Sequence, residues 1–279
     1  MQTQFCNYML KQVLCLGGLT ITYLAANAQG ESVVVKVLPS PQSKDPSAQK
    51  IFTEMAMTRP SHPNIIPILD VGECDGALYF AEPYIAGCSL QSLLARMKIL
   101  TAEQFVPILK DVCAALDAAH IQGFIHCDVN PNNILICAKD GRAFLNDFKS
   151  AVKVNAPELS GKPKRLVGNP GYMSPEQLSE QRTSPASDVY SLGVIAYEAL
   201  SGQLPFNPDD PMSLMHMRIR DIPPDLRSCN PNIQAGVAKA VMRALNKEPV
   251  KRYSHAKDFA QTFVRALQNP IGWLSWLTN

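Results

Sequence analysis

Asp128 and Asn133 lie five positions apart in Ile125-His126-Cys127-Asp128-Val129-Asn130-Pro131-Asn132-Asn133-Ile134-Leu135, inside a loop bounded by apolar residues. A second aspartate, Asp147, follows in Leu145-Asn146-Asp147-Phe148. A loop offering a carboxylate and an amide oxygen, then a strand ending in another carboxylate, can orient a hydroxyl. The same set can hold a divalent cation against a nucleoside triphosphate. Those are the tasks of phosphoryl transfer, where catalysis is mostly positioning and charge stabilisation. Any one of these residues alone reads as an ordinary turn or core position. It is the joint spacing that points to chemistry.

The elements that must position these groups are legible from pattern. Val33-Val34-Val35-Lys36-Val37-Leu38 is β-branched and bounded by Gly30 and Pro39, which predicts a strand; Leu78-Tyr79-Phe80-Ala81 predicts another. Ser47 to Thr58 predicts a helix that must stop before Pro60. Beyond Leu90 the periodicity turns helical. Thr101-Ala102-Glu103-Gln104 is a capping box, and the helix it opens carries Phe105, Ile108, Leu109, Val112, Leu116 and Ala119 on one face. Asp188 to Leu200 predicts an apolar helix ended by Gly202, with further helices at Ile233–Leu245 and His255–Leu267. A strand-rich first part thus precedes a larger helical part, with the joint near Pro83–Gly87.

With 279 residues the chain can form one large domain or two small ones around a substantial core. A net charge of +2 gives no reason to expect nucleic acid or an anionic membrane as partner. No run is long and apolar enough for an integral membrane segment. The eight cysteines (Cys6, Cys15, Cys74, Cys88, Cys113, Cys127, Cys137 and Cys229) are scattered without a CxxC pair, which reads as reduced thiols in a cytoplasmic protein. Lys11, the apolar stretch Val13 to Ala25 and the small residues Ala26-Asn27-Ala28 together mimic a secretory signal. Gly17-Gly18 followed by Thr20-Ile21-Thr22-Tyr23 reads instead as strand, glycine turn, strand, and we prefer that reading.

Three blocks further on make a resemblance specific. They are Gly168-Asn169-Pro170-Gly171-Tyr172-Met173-Ser174-Pro175-Glu176, Ser187-Asp188-Val189-Tyr190-Ser191-Leu192-Gly193 and Lys247-Glu248-Pro249-Val250-Lys251-Arg252-Tyr253. With the Asp128 loop they resemble a protein kinase domain of the bacterial, eukaryote-like serine/threonine type, over roughly residues 10 to 268. The resemblance implies an α+β, two-lobed fold: a small β-rich N-lobe at about 10–84, a larger helical C-lobe at about 88–268, and a tail at 269–279. It implies ATP and Mg2+ as cofactors, and a protein substrate phosphorylated on serine or threonine. Asp128 matches the catalytic aspartate, and Asn133 and Asp147 match the metal ligands. Leu14, Gly17, Gly18, Thr22, Lys36, Glu54 and Ile85 match nucleotide-binding positions, with Glu54 the acid that pairs with Lys36. The spacing from Glu54 to the His62-Pro63-Asn64-Ile65 turn is about one residue shorter than the family's. Asp188 matches the aspartate that holds the catalytic-loop backbone, and Arg252 the arginine that pairs with Glu176. Aminoglycoside and choline phosphotransferases share the HxDxxxxN loop but lack the three later blocks, so that class ranks behind.

The chain departs from the family pattern at several places. Cys15 and Thr20 stand at glycine positions of the phosphate loop, Cys127 replaces the arginine before the catalytic aspartate, and Asn130 replaces a lysine. Asn169 replaces a threonine, Lys149 the glycine after Phe148, and Glu82 an apolar residue beside the adenine pocket, with Pro83 after it. These changes define the rival reading, a pseudokinase that binds nucleotide or partners without transferring phosphate. The retained lysine, aspartates and asparagine favour the enzyme. Because Cys127 cannot clamp a phosphate as arginine does, phosphorylation of the loop from Phe148 to Glu176, at Ser160 for example, is not expected to switch the protein on. Lys162, Lys164 and Arg165 read as a solvated basic turn, and Trp273 and Trp276 as a segment docking on its own domain.

Overall fold

The computed structural model describes residues 3–17, 19–154, 168–207 and 210–268. It divides into two compact units: Met1–Ala86 with Asp147–Lys149, and Gly87–Asn146 with Ser150–Asn279. Gly18, Ser160, the basic residues Lys162, Lys164 and Arg165, and Trp273 and Trp276 lie outside the described residues.

The first unit is built on one antiparallel sheet. Its strands are β1 (Thr3–Phe5), β2 (Tyr8–Leu16), β3 (Ile21–Ala26), β4 (Ser32–Leu38), β5 (Asp70–Cys74) and β6 (Ala77–Pro83), in the order β1-β2-β3-β4-β6-β5. The apolar stretch that mimics a signal is thus the strand pair β2–β3, joined through Gly17, whose N–H donates to the Thr20 carbonyl at 2.9 Å. Alternation along β4 separates two faces. Val33, Val35 and Val37 pack with Tyr8, Ala25, Tyr79 and Ala81. The other face meets helix α2 (Pro46–Met57), which follows the short turn α1 (Ser40–Ser43). There Phe80 packs against Phe52, with ring centroids 5.2 Å apart, and against Met55 and Ala56.

The sheet curls until its two edge strands meet. Tyr8 of β2 and Tyr79 of β6 both donate their hydroxyls to Asp70 Oδ2 of β5, at 2.9 and 3.0 Å. Cys6, in the β1–β2 turn, is disulfide-bonded to Cys74, with Cα atoms 6.0 Å apart. The expectation of eight reduced thiols is corrected here. A separation of 68 residues hides the pair in the sequence, and only the curl brings the two turns together. Among the described residues the other six cysteines form no disulfide.

The second unit is mainly helical. It contains α3 (Leu90–Met97), α4 (Ala102–Ile121), α5 (Pro175–Leu178), α6 (Pro185–Ser201), α7 (Pro211–Arg220), α8 (Leu226–Cys229), α9 (Ala235–Ala244) and α10 (Ala256–Gln268). Its short strands are β7 (Gly87–Ser89), β8 (Phe124–Ile125), β9 (Ile134–Cys137), β10 (Ala143–Leu145) and β11 (Val152–Lys153), paired as β10-β9-β7 and β11-β8. The capping box holds: Gln104 N–H donates to Thr101 Oγ1, and Thr101 N–H donates to Gln104 Oε1. The whole expected face of α4, from Phe105 to Ala119, is buried, and α10 packs against α4 and α9. Helix α6 is buried over nearly its full length and stops where Gly202 adopts φ +77°.

Candidate active site

The Asp128 loop is held from below by one carboxylate. Asp188, in the first turn of α6 and 1% exposed, accepts the backbone N–H groups of His126 and Cys127, both at 2.9 Å, and faces His120 Nε2 at 2.7 Å. Two donors aimed at one buried carboxylate lock the chain here, including the left-handed Cys127 at φ +62°. His126 in turn fixes the backbone of Asp128. Its Nε2 lies 3.0 Å from the Asn146 carbonyl, which can only accept, so Nε2 carries the proton. Its Nδ1 accepts the Asp128 N–H at 3.2 Å.

Asp128, 8% exposed, is gripped by three asparagines. Asn130 Nδ2 donates to Asp128 Oδ1 at 2.8 Å. Asn133 Nδ2 donates to the Asp128 carbonyl at 2.8 Å and to Oδ2 at 3.2 Å. The Asn169 backbone N–H reaches Oδ1 at 3.3 Å, while its side chain is turned onto Gly171 N–H. Asn130, a departure from the kinase pattern, therefore acts on the catalytic-position aspartate itself. Gly168 allows this approach: it sits at φ +129°, and a Cβ there would lie 2.9 Å from Asp128 Oδ1. Because the Asn133 amide nitrogen is spent on Asp128, its oxygen is the atom left for a hard cation.

The segment after Gly168 is anchored to the same loop. Gln177 Nε2 donates to the Cys127 carbonyl at 2.7 Å. Glu176 and Arg252, 4% and 2% exposed, form a bidentate pair at 2.6 and 2.8 Å. Arg252 also donates to the carbonyls of Ala186, Asn246 and Lys247, so the planar fork is fully used. Burial works to raise the Glu176 carboxyl pKa. The Arg252 bonds and charge outweigh it and hold the group below the usual carboxylate range. Arg218, fully buried, donates to the Gly171 carbonyl at 2.6 Å.

In the first unit, Lys36 stands on β4 directly opposite Thr22 of β3 and Phe80 of β6. Its ammonium lies 5.4 Å from the Phe80 ring centre and 3.2 Å from Glu82 Oε2. Glu82 is 2% exposed and also binds Arg59. The expected Lys36–Glu54 pair is therefore corrected to Lys36–Glu82. Glu54 is exposed on α2. It comes two positions after Phe52, the residue α2 buries on Phe80, hence about 200° round the helix.

Leu14 lies exposed on β2, and Ile85 lies half-buried just after β6. Asp147, at φ +62°, is paired with Lys149, whose Nζ lies 2.5 Å from Asp147 Oδ2. Phe148 is buried under the Arg59 guanidinium, 5.8 Å from ring centre to Cζ. The second unit thus brings Asp128, Asn130, Asn133 and Asn169 together, and the first gathers Lys36, Thr22, Glu82 and Arg59. Sequence reasoning missed Glu82 and Arg59 as partners. The available signal was parity: Lys36 and Glu82 fall on one face only once the β4–β6 register is known.

A curled antiparallel sheet, a helical unit, a clamped aspartate loop and a buried glutamate–arginine pair define a protein kinase architecture. The protein kinase domain family matches residues 8–264, and this chain belongs to it. Its relatives include the serine/threonine-protein kinase PknH of Mycobacterium bovis, 33% identical over 96% of this chain and 45% of the relative. The serine/threonine-protein kinase PknB of Mycobacterium tuberculosis is 31% identical over 92% of this chain and 42% of the relative. The chain spans less than half the length of these relatives. Among the described residues no helix is long and apolar enough to cross a membrane.

Proposed function

We propose that this chain is the catalytic domain of an ATP- and Mg2+-dependent kinase that phosphorylates serine or threonine on proteins, as the names of its relatives suggest. The observation that carries the reading is the three-asparagine grip on Asp128. A carboxylate held by amide donors at both oxygens is oriented to receive the proton of an acceptor hydroxyl. Lys36, with Thr22 opposite it on β3, binds phosphate oxygens together with Gly17 of the β2–β3 turn, and Leu14 and Ile85 line the base. Pro83 keeps a carbonyl for the adenine amine but has no N–H, so Ile85 supplies the donor.

Asn133 and Asp147 each offer an oxygen of the kind Mg2+ takes, its remaining positions filled by water and phosphate. Those two residues would hold the ion, whose chemistry when bound is to neutralise charge on the transferring phosphoryl group. Use of ATP puts this chain in the cytoplasm, where the Cys6–Cys74 bond is open to reduction.

The test is phosphate incorporation with labelled ATP beside an Asp128→Asn control. Loss of a positioned carboxylate lowers the rate by orders of magnitude, with fold and ATP binding retained. Equal background in both proteins would overturn the kinase reading. The Lys149–Asp147 ion pair favours the alternative in that event, a nucleotide-binding or scaffolding pseudokinase.

A further inference from the structure

Lys36, Glu82 and Arg59 form a buried ion cluster that the kinase pattern does not call for. The side chains of Lys36 and Arg59 are 12% and 8% exposed, and that of Glu82 is 2% exposed. Lys36 Nζ lies 3.2 and 3.3 Å from the two Glu82 oxygens. The geometry is set by the sheet. In the antiparallel β4–β6 register Lys36 faces Phe80, and Val34 faces Glu82. Lys36 and Glu82 are therefore diagonal neighbours on the α2 side of the sheet. Glu54 cannot compete, because α2 buries Phe52, Met55 and Ala56 and turns Glu54 to solvent.

We infer that Glu82 is the positioning residue for Lys36, the task the family pattern gives to a helix acid. This deepens the proposed function, on which the nucleotide half of the inference rests. The chemistry has three consequences. An ammonium has three N–H groups, so binding both Glu82 oxygens leaves one donor for a phosphate oxygen. Glu82 also binds the Arg59 guanidinium, which holds in place the carboxylate that faces Lys36. Because β4 and β6 are hydrogen-bonded neighbours, the lysine's orientation does not depend on the rotation of α2.

Two measurements test this separately. The first is a double-mutant cycle read by urea unfolding, which needs no nucleotide. Lys36→Met with Glu82→Gln should couple by about tenfold or more in the unfolding constant, equivalent to about 1.4 kcal/mol. Lys36→Met with Glu54→Gln should be additive. Additivity at Glu82, or coupling at Glu54, would overturn the inference whatever the protein binds. Glu82→Gln leaves two buried cations and can fail to fold. The cycle is therefore repeated in an Arg59→Met background, and Glu82→Asp serves as the charge-preserving variant.

The second measurement is MgATP affinity by calorimetry on folded protein. Glu82→Gln in the Arg59→Met background should weaken it about tenfold, Glu82→Asp should restore most of the loss, and Glu54→Gln should stay within about twofold. A purely structural role would lower the melting temperature without moving these affinities. Unchanged affinity in Glu82→Gln, with wild type binding normally, overturns the positioning role and leaves the kinase reading standing. Absence of MgATP binding in every protein, wild type included, overturns both.

Discussion

Lys149 stands where the kinase pattern has glycine, and its ammonium is on the very carboxylate that would hold Mg2+. The Nζ–Oδ2 distance is 2.5 Å, with Lys149 39% and Asp147 19% exposed at the side chain. A half-exposed pair of this kind is worth about 0.2–1 kcal/mol, because solvent screens it. Metal binding at Asp147 must displace or share that interaction. Lys149→Met removes the charge while keeping the apolar stem, so MgATP affinity should rise by up to about fivefold, the equivalent of about 1 kcal/mol. The assay is calorimetric titration with MgATP at saturating Mg2+, repeated with EDTA. The gain should appear only with the metal. It should shrink at high salt, since the screening length falls from about 10 Å at 0.1 M to about 3 Å at 1 M. A fall in affinity would refute the reasoning, because Lys149 would then be serving phosphate rather than competing with metal. A gain of equal size in EDTA would refute it as well.

Arg252→Met should destabilise the protein by about 3–5 kcal/mol, because it strands the buried Glu176 carboxylate; a loss under about 1 kcal/mol in urea unfolding would contradict the pair's role. Gly168→Ala should lower activity at least about tenfold while leaving MgATP affinity near wild type, since its Cβ meets Asp128 Oδ1 at 2.9 Å and the φ of +129° disfavours any side chain. Burial first, then the Arg218 charge, push the Lys247 ammonium down to about 8. Its folded pKa lies below the unfolded value of about 10.4, so the unfolded chain binds more protons between them and stability rises with pH across that window. Lys247→Met should remove this rise, and urea midpoints taken across that window, at about pH 8 and about pH 10, measure the difference.

Much of the helical unit was legible in the residues themselves. Thr101 and Gln104 cap a helix by local bonds, Gly202 ends one by its freedom at positive φ, and the face from Phe105 to Ala119 follows from period alone. The roles of Asp188 and the Glu176–Arg252 pair were implied by motif and are realised in the second unit. Register and closure were not legible in this way. Cys6 and Cys74 meet only because the sheet curls. In one dimension Glu54 matches the pairing acid and Glu82 only a usually apolar position. Helix α2 buries Phe52, Met55 and Ala56 and so turns the first to solvent, and the strand register aims the second at Lys36. Asn130 reads as the loss of a lysine, yet the loop's fold points its amide at Asp128 Oδ1. Local propensity fixes elements because its causes lie within a few residues. Which charges meet is decided by the packing of elements far apart in the chain, and only the tertiary structure carries that information.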